Sequence, residues 1–244
     1  MGQLIAGSYE LGAEIGRGPT GTVWRARHRG TRETFALKLL APEFVTDPAV
    51  VDRFLRERSV LMAYLHPSMV PVRDVILEEP ELVLVTDLVD GVDLRRYLGR
   101  SGPLDLESAS QIVAVSAEAL GAAHAAGVVH SGVKPANVLV TRSNEVRITD
   151  CRVTRLTRRR RNGAATFTDP EYVAPEVILG GPPVPASDVY GLGLVLYEAV
   201  MGGPLCRGDS PAEVLNQHLR GRPVVPTSLP HPLRDLLEAC LAIS

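Results

Sequence analysis

The spacing Gly16-x-Gly18-x-x-Gly21-x-Val23 suits phosphate chemistry. Glycine lacks a Cβ, so backbone amides at such positions can close on phosphate oxygens. Alone the pattern is weak, because an ordinary hairpin turn carries it too. A dinucleotide-binding turn runs from a strand into a helix. Here the residues after Gly21, Thr22 to Arg27, read as a strand, so the turn joins two strands. Lysine is the second feature. Among 26 basic residues only Lys38 and Lys134 are lysine; all others are arginine. Two lysines kept against that bias hint at a need for a compact ammonium group.

Residues 130–137 read His130-Ser131-Gly132-Val133-Lys134-Pro135-Ala136-Asn137. This segment resembles the catalytic loop of bacterial Hanks-type serine/threonine protein kinases, His-Arg-Asp-x-Lys-Pro-x-Asn. It keeps the histidine, lysine, proline and asparagine. Ser131 replaces the arginine, and Gly132 replaces the aspartate that accepts the substrate hydroxyl proton.

The resemblance covers almost the whole chain, and it implies roles for other positions. Lys38, in Ala36-Leu37-Lys38, would hold the α- and β-phosphates of ATP and pair with a helix glutamate. Glu57 fits that place, upstream of Leu65-His66-Pro67. Thr86 to Gly91 match the hinge between lobes. Thr86 is then a small gatekeeper, and the backbone of Asp87 and Val89 meets the adenine edge. Val23, Ala36 and Leu139 would sandwich the ring, with Lys134 in the same site. Asn137 and Asp150 match two magnesium ligands, oxygen donors suited to a hard cation. Asp188 matches the aspartate that organises the catalytic-loop backbone. Ala174-Pro175-Glu176 matches the end of the activation segment.

Four departures cluster near the reacting centre. Besides Ser131 and Gly132, Asp150-Cys151-Arg152 stands where the family has Asp-Phe-Gly. Losing such an aromatic to a small side chain costs ~3–5 kcal/mol if its space stays empty. Neighbours such as Leu61 are therefore expected to repack, or the helix with Glu57 to sit differently. Arg152 adds a charge within reach of phosphate. The run Arg158-Arg159-Arg160-Arg161-Asn162-Gly163 reads as a solvated loop, with a dock for a phosphorylated or acidic partner as the sharper alternative.

Composition sets bounds. The chain has 244 residues, 45% hydrophobic and 22% charged, and a net charge of −2. That charge supplies no field for nucleic acid or a membrane surface. No stretch approaches the ~20 apolar residues of a membrane span. Met1 to Tyr9 lacks a charged segment followed by an apolar one, which predicts a cytoplasmic protein. Cys151, Cys206 and Cys240 are scattered and odd in number, as reduced thiols would be.

Hydrophobic periodicity supplies the elements. Two strands flank the glycine turn across 8–28, and others fall at 33–40, 71–77 and 82–87, the last pair joined by Glu78-Glu79-Pro80. Residues 48–65 carry a helical pattern. From about residue 92 the pattern turns helical, with helices at 105–126, 188–202, 211–219 and 231–242. The expected fold is α+β, the two-lobed protein kinase fold. An antiparallel N-lobe with one regulatory helix spans about 1–90, and a mainly helical C-lobe spans about 91–244. By the resemblance, a further helix whose arginine pairs with Glu176 is expected after this C-lobe, and residues 91–244 are expected to lack it.

Three functional readings stay open. The leading one is a pseudokinase that binds ATP, with magnesium, and acts as a scaffold or nucleotide-dependent switch toward a protein partner in bacterial signalling. The second is a weakly active serine/threonine kinase or another ATP-dependent transferase. The third is a nucleotide-free interaction module.

Overall fold

The first ninety residues build one antiparallel sheet. Its strands are β1 (Leu4–Ile5), β2 (Tyr9–Gly18), β3 (Gly21–His28), β4 (Thr34–Leu40), β5 (Val72–Glu78) and β6 (Glu81–Asp87), in the order β1-β2-β3-β4-β6-β5. The computed structural model describes residues 3–63, 65–78, 81–161, 164–220 and 223–242. Glu79 and Pro80 of the expected turn, and Asn162 and Gly163 after the arginine run, lie outside them. The sheet has one strand more than the five expected. The extra one, β1, is two residues long and pairs with β2 at Leu4↔Glu10 and Ile5↔Tyr9.

Strand β6 buries Leu82, Val83, Leu84 and Val85 in succession, because both faces of the sheet are covered. Val83 and Val85 join Ile5, Leu11, Ala26 and Leu37 on the outer face. Leu82 and Leu84 pack against helix α2 (Pro48–Ala63), chiefly on Phe54 and Leu61. A four-residue helix, α1 (Pro42–Val45), leads into α2. The burial of Phe54, fully enclosed, anchors α2 to the sheet and so sets where Glu57, one turn on, can reach.

The C-lobe follows a three-stranded sheet and a set of helices. Strands β7 (Gly91–Asp93), β8 (Val138–Thr141) and β9 (Val146–Ile148) form the floor of the interlobe cleft. Helix α3 (Leu94–Ser101) starts at Asp93, whose side chain accepts from the Arg96 amide, so one orphan donor of the first turn is satisfied. Helix α4 (Leu106–Ala125) is capped likewise by Asp105 and is followed by Gly127 at φ +74°. Helix α3 was not foreseen as a separate helix.

Behind the cleft come α5 (Val153–Leu156), the ribbon β10 (Arg159–Arg161) and β11 (Ala164–Thr166), and α6 (Pro175–Ile178). Then follow α7 (Pro185–Met201), α8 (Pro211–Leu219) and α9 (His231–Cys240). Helix α7 is apolar all round from Leu192 to Leu196 because it is buried on every side, between α4 and α9. Gly191 lets it approach the catalytic loop. A Cβ there would lie 2.9 Å from the Val133 carbonyl oxygen.

Candidate functional site

Every residue singled out from sequence for nucleotide or metal, except Glu57, lines one cleft between the lobes. These are Gly16, Gly18, Gly21, Val23, Ala36, Lys38, Thr86, Asp87, Val89, Lys134, Asn137, Leu139 and Asp150. The glycine turn connects β2 and β3 as expected. Gly21 has φ +143°, and a Cβ would approach the Leu39 carbonyl carbon to 2.9 Å and its oxygen closer still. The fold itself therefore requires glycine at 21. At Gly18 a Cβ would meet nothing within 4 Å, and at Gly16 nothing nearer than Val23 at 3.6 Å. Glycine at 16 and 18 answers no packing demand, which leaves open space above the cleft.

The catalytic-loop segment is pinned from below. One oxygen of the buried Asp188 carboxylate accepts from the Ser131 amide at 2.8 Å. The other accepts from the His130 amide at 2.8 Å and meets His124 Nε2 at 2.8 Å. His130 is fully buried, its Nδ1 accepts from the Gly132 amide at 3.2 Å, and its Nε2 faces the Thr149 carbonyl at 3.0 Å. Burial pushes its pKa down, so the ring is neutral. Asn137 donates to the Gly132 carbonyl at 2.8 Å, which fixes the amide plane.

Asn137 and Asp150 supply an amide oxygen and a carboxylate. Their backbones are coupled, since the Thr149 amide donates to the Asn137 carbonyl at 2.9 Å. This donor set fits magnesium, which keeps most of its ligands from water and phosphate and takes one or two from protein. Asp150 already has a cation. Lys38 Nζ forms an ion pair with Asp150 Oδ2. Burial works to raise the Asp150 pKa, but Lys38 and, more weakly, Lys134 outweigh it and hold the carboxyl below its ordinary range.

The expected Lys38–Glu57 pair does not form. Glu57 instead accepts from Arg152, with Nε at 2.8 Å from Oε2 and Nη2 on the same oxygen, and Arg155 Nη2 lies 3.4 Å from Oε1. Arg152 therefore does not project toward phosphate; it is buried against α2. Its φ is +65°, a left-handed conformation that suits glycine and costs an L-residue about 1–2 kcal/mol. The ion pair and packing of this segment hold it there.

The space beneath α2 is filled from the activation segment. Val153 and Leu156 of α5 are buried with Phe54, Leu61, Val75 and Leu84. Cys151 turns to the C-lobe core, where burial pushes its thiol up to about 12. Arg53 on α2 donates to the carbonyls of Leu156, at 3.1 Å, and Arg158, at 2.7 Å. It thereby satisfies the end of α5. The helix also crowds the catalytic loop. A Cβ on Gly132 would lie 2.9 Å from Thr154 Cβ and closer still to its Oγ1. Thr154 thus occupies the room a side chain at 132 needs.

Farther along, Asp169 Oδ2 accepts from Lys134 Nζ at 2.6 Å and Arg95 Nη2 lies 3.3 Å from Oδ1. Arg95 also stacks on Tyr172, 5.6 Å from its ring centre, and the Tyr172 hydroxyl donates to Glu198. Glu176 accepts from the Ser187 hydroxyl. In the arginine run, Arg158 donates to the Val177 carbonyl at 2.8 Å and lies 5.5 Å from the centre of the Phe167 ring. Sequence reasoning missed Asp169, the packing of Thr154 against Gly132 and the destination of Arg152. None lies in a local motif whose spacing announces its partner.

Residues 9–244 match the protein kinase domain family, and the chain belongs to it. It is 44% identical over 97% of its length to the serine/threonine-protein kinase PkaA of Streptomyces coelicolor, and 40% identical over 99% to PkaB of that organism. It is 36% identical over 99% to the serine/threonine-protein kinase PknA of Mycobacterium tuberculosis. The chain spans 47%, 60% and 58% of those three proteins. Among solved structures, the kinase domain of Mycobacterium tuberculosis PknI, a double mutant, superposes with a TM-score of 0.70 at 28% identity, over 81% of this chain and 76% of that one. The protein kinase fold, with its antiparallel N-lobe and helical C-lobe, is thereby established. Among the described residues, no helix is long and apolar enough to cross a membrane.

Proposed function

We propose that this chain is a serine/threonine protein kinase domain of low activity, which binds ATP with magnesium and rests in an inactive arrangement. The observation that carries the reading is the convergence of Gly16, Gly18, Lys38, Lys134, Asn137 and Asp150 on one cleft. Its relatives named serine/threonine kinases support transfer chemistry over a purely structural role. In this reading the glycine turn covers the phosphates and Lys38 orients them. Thr86 to Val89 receive the adenine. Asn137 and Asp150 would hold magnesium, whose charge would offset that of the phosphates. Positioning and electrostatics supply most of the rate in phosphoryl transfer. A general base is typically worth ~10²–10⁴, so its loss from position 132 predicts slow transfer, not none.

A second reading, a pseudokinase that serves a protein partner, is favoured by Gly132 and by Thr154 packed against it. Thermal melting with ATP, with and without magnesium, tests the shared part. Ligand at ~100 times its Kd stabilises by ~2.7 kcal/mol, a rise of a few degrees for a domain of this size. The rise should vanish in Lys38→Ala. Incorporation of γ-phosphate into casein then separates the two readings. Transfer that Asp150→Asn abolishes supports the kinase. ATP binding with no transfer supports the pseudokinase. No thermal shift at millimolar ATP would sink both.

A further inference from the structure

We propose that Asp169 is the catalytic base of this chain, standing in for the carboxylate that position 132 lacks. The proposal rests on the kinase reading above. Two cavities meet at the catalytic loop. One is the nucleotide cleft, and the other lies between that loop and the activation segment, lined by Gly132, Thr154, Phe167 and Tyr172 among others. Among the described residues, only Lys134 and Asp169 line both. Those two side chains form an ion pair 2.6 Å long, with Asp169 10% exposed and Lys134 12% exposed. In this proposal an acceptor hydroxyl enters from the activation-segment side and meets the γ-phosphate beside Lys134 and Asp169, which both cavities share.

Every other acid around the cavities lines only one of them: Asp87, Asp90, Asp93 and Asp150 the nucleotide cleft, and Asp188 the second cavity. Asp150 is held by Lys38 and Asp87 by Arg73, Asp93 caps α3, and Asp90 is exposed to solvent beside Arg142. Asp188 is spent on His124 and two loop amides. His130 uses both ring nitrogens on neighbouring backbone. Asp169 is held at both oxygens. Arg95 fixes Oδ1, while Lys134 and the Thr168 hydroxyl, at 3.1 Å, fix Oδ2. Burial works to raise its pKa, but Lys134 and then Arg95 outweigh burial and hold it below the ordinary carboxylate range, so the group is ionised at neutral pH.

The step balances with ATP and an alcohol as reactants. The acceptor O–H bond breaks and its proton passes to the Asp169 carboxylate. The oxygen forms a bond to the γ-phosphorus, and the bond from that phosphorus to the bridging oxygen breaks. ADP leaves, and Asp169 returns the proton to water. Lys134 stays on the γ-phosphate side of the pair as a fixed positive charge.

The test uses the whole chain with γ-labelled ATP, magnesium and casein, beside thermal melting with ATP. Asp169→Asn is expected to lower kcat by about 10²-fold or more, with KM for ATP changed less than about threefold. Asp169→Glu keeps the charge and the hold on Lys134 but shifts the carboxylate by one methylene. It guards against misfolding of the asparagine variant and should itself lose about tenfold or more in kcat, since misplacement by about an ångström is costly. Two outcomes overturn the proposal while leaving the kinase reading intact. One is a glutamate variant as fast as wild type. The other is a loss in Asp169→Asn carried by KM for ATP, with kcat unchanged, which assigns Asp169 to holding Lys134. If wild type binds ATP and transfers nothing, the kinase reading itself fails and takes this proposal with it.

Discussion

Arg152 and Glu57 are 95 positions apart and meet in a partly buried ion pair, with 11% and 18% of their side chains exposed. This contact and the Lys38–Asp150 pair are two halves of one arrangement. Glu57 is turned to Arg152 and Arg155 and is not paired with Lys38. Lys38 pairs with Asp150, the group that would hold magnesium in the proposed function. In that proposed function nucleotide and metal would compete with protein for both Lys38 and Asp150. A resting state of this kind lowers apparent ATP affinity by the fraction of molecules that are binding-competent.

Replacing Arg152 by glycine is expected to shift that balance. The substitution relieves the left-handed backbone at φ +65°, by about 1–2 kcal/mol. It also removes the partner of Glu57. Breaking a buried pair costs about 3–5 kcal/mol, less here because Glu57 keeps some contact with water and with Arg155. Denaturant unfolding should show a net loss of about 1–2 kcal/mol in the free protein. Calorimetric titration should show ATP affinity rising severalfold. A stability loss with unchanged affinity would make the contact structural and uncoupled from the cleft.

Lys38→Ala should give a stability deficit that depends on pH. In wild type the Asp150 pKa is depressed, so its contribution is complete above the unfolded value near ~3.9 and is lost only as pH falls through the lower folded value. Between pH 7 and 5 the wild-type pair is thus constant. Without Lys38, burial dominates and raises the Asp150 pKa above its unfolded value. The penalty for a charged Asp150 is then present at pH 7 and relieved as pH falls toward that raised value. The expected deficit at pH 7 is about 2–4 kcal/mol, discounted because 20% of the Asp150 side chain is exposed. Melting temperatures measured at pH 7 and pH 5 should converge for the two proteins. A deficit that stays constant or widens would show that Asp150 does not carry the effect.

Asp188→Ala should be the most damaging change away from the cleft. It strands the buried amides of His130 and Ser131 and removes the partner of His124. Each unsatisfied buried donor costs about 1–3 kcal/mol, so a loss of about 2–5 kcal/mol is expected in denaturant unfolding. Hydrogen exchange should locate it, with the amides of 130 and 131 losing protection first. Uniform loss across the C-lobe would mean that Asp188 supports the helix core and not the loop.

The cleft was legible in the sequence because its parts are local. The glycine turn, the Ala36-Leu37-Lys38 strand and the hinge from Thr86 each announce themselves within a few residues, and the sheet register then brings them together. Val23 pairs with Lys38, and Ala36 with Thr86. The pairing of Glu57 was not legible, because two cations can reach it and the choice is made by packing of α5 beneath α2. That helix is four residues long, barely more than one turn, so no period could reveal it. Asp169 was missed for a related reason. Its environment comes from Lys134 and Arg95, which the chain brings back from 35 and 74 positions away.

The contact between Gly132 and Thr154 leads to the last prediction. Restoring a carboxylate with Gly132→Asp places a Cβ 2.9 Å from Thr154 Cβ, and the backbone of Val133 beside it is held by the close approach of α7 at Gly191. The loop cannot yield, so α5 must. Overpacking of this sort costs about 1–3 kcal/mol. Displacing α5 also withdraws Val153 and Leu156 from the space beneath α2 and loosens Arg152 from Glu57. Thr154→Gly in the same chain makes room for the new side chain. The double variant should therefore be more stable than the sum of the single changes, with a coupling of about 1–3 kcal/mol between contacting sites. It should also transfer γ-phosphate to casein faster than wild type, since the loop gains a carboxylate at 132 beside Asp169 while α5 stays folded. Additive stabilities in the four-protein cycle would show that α5 does not rest on Gly132 in solution.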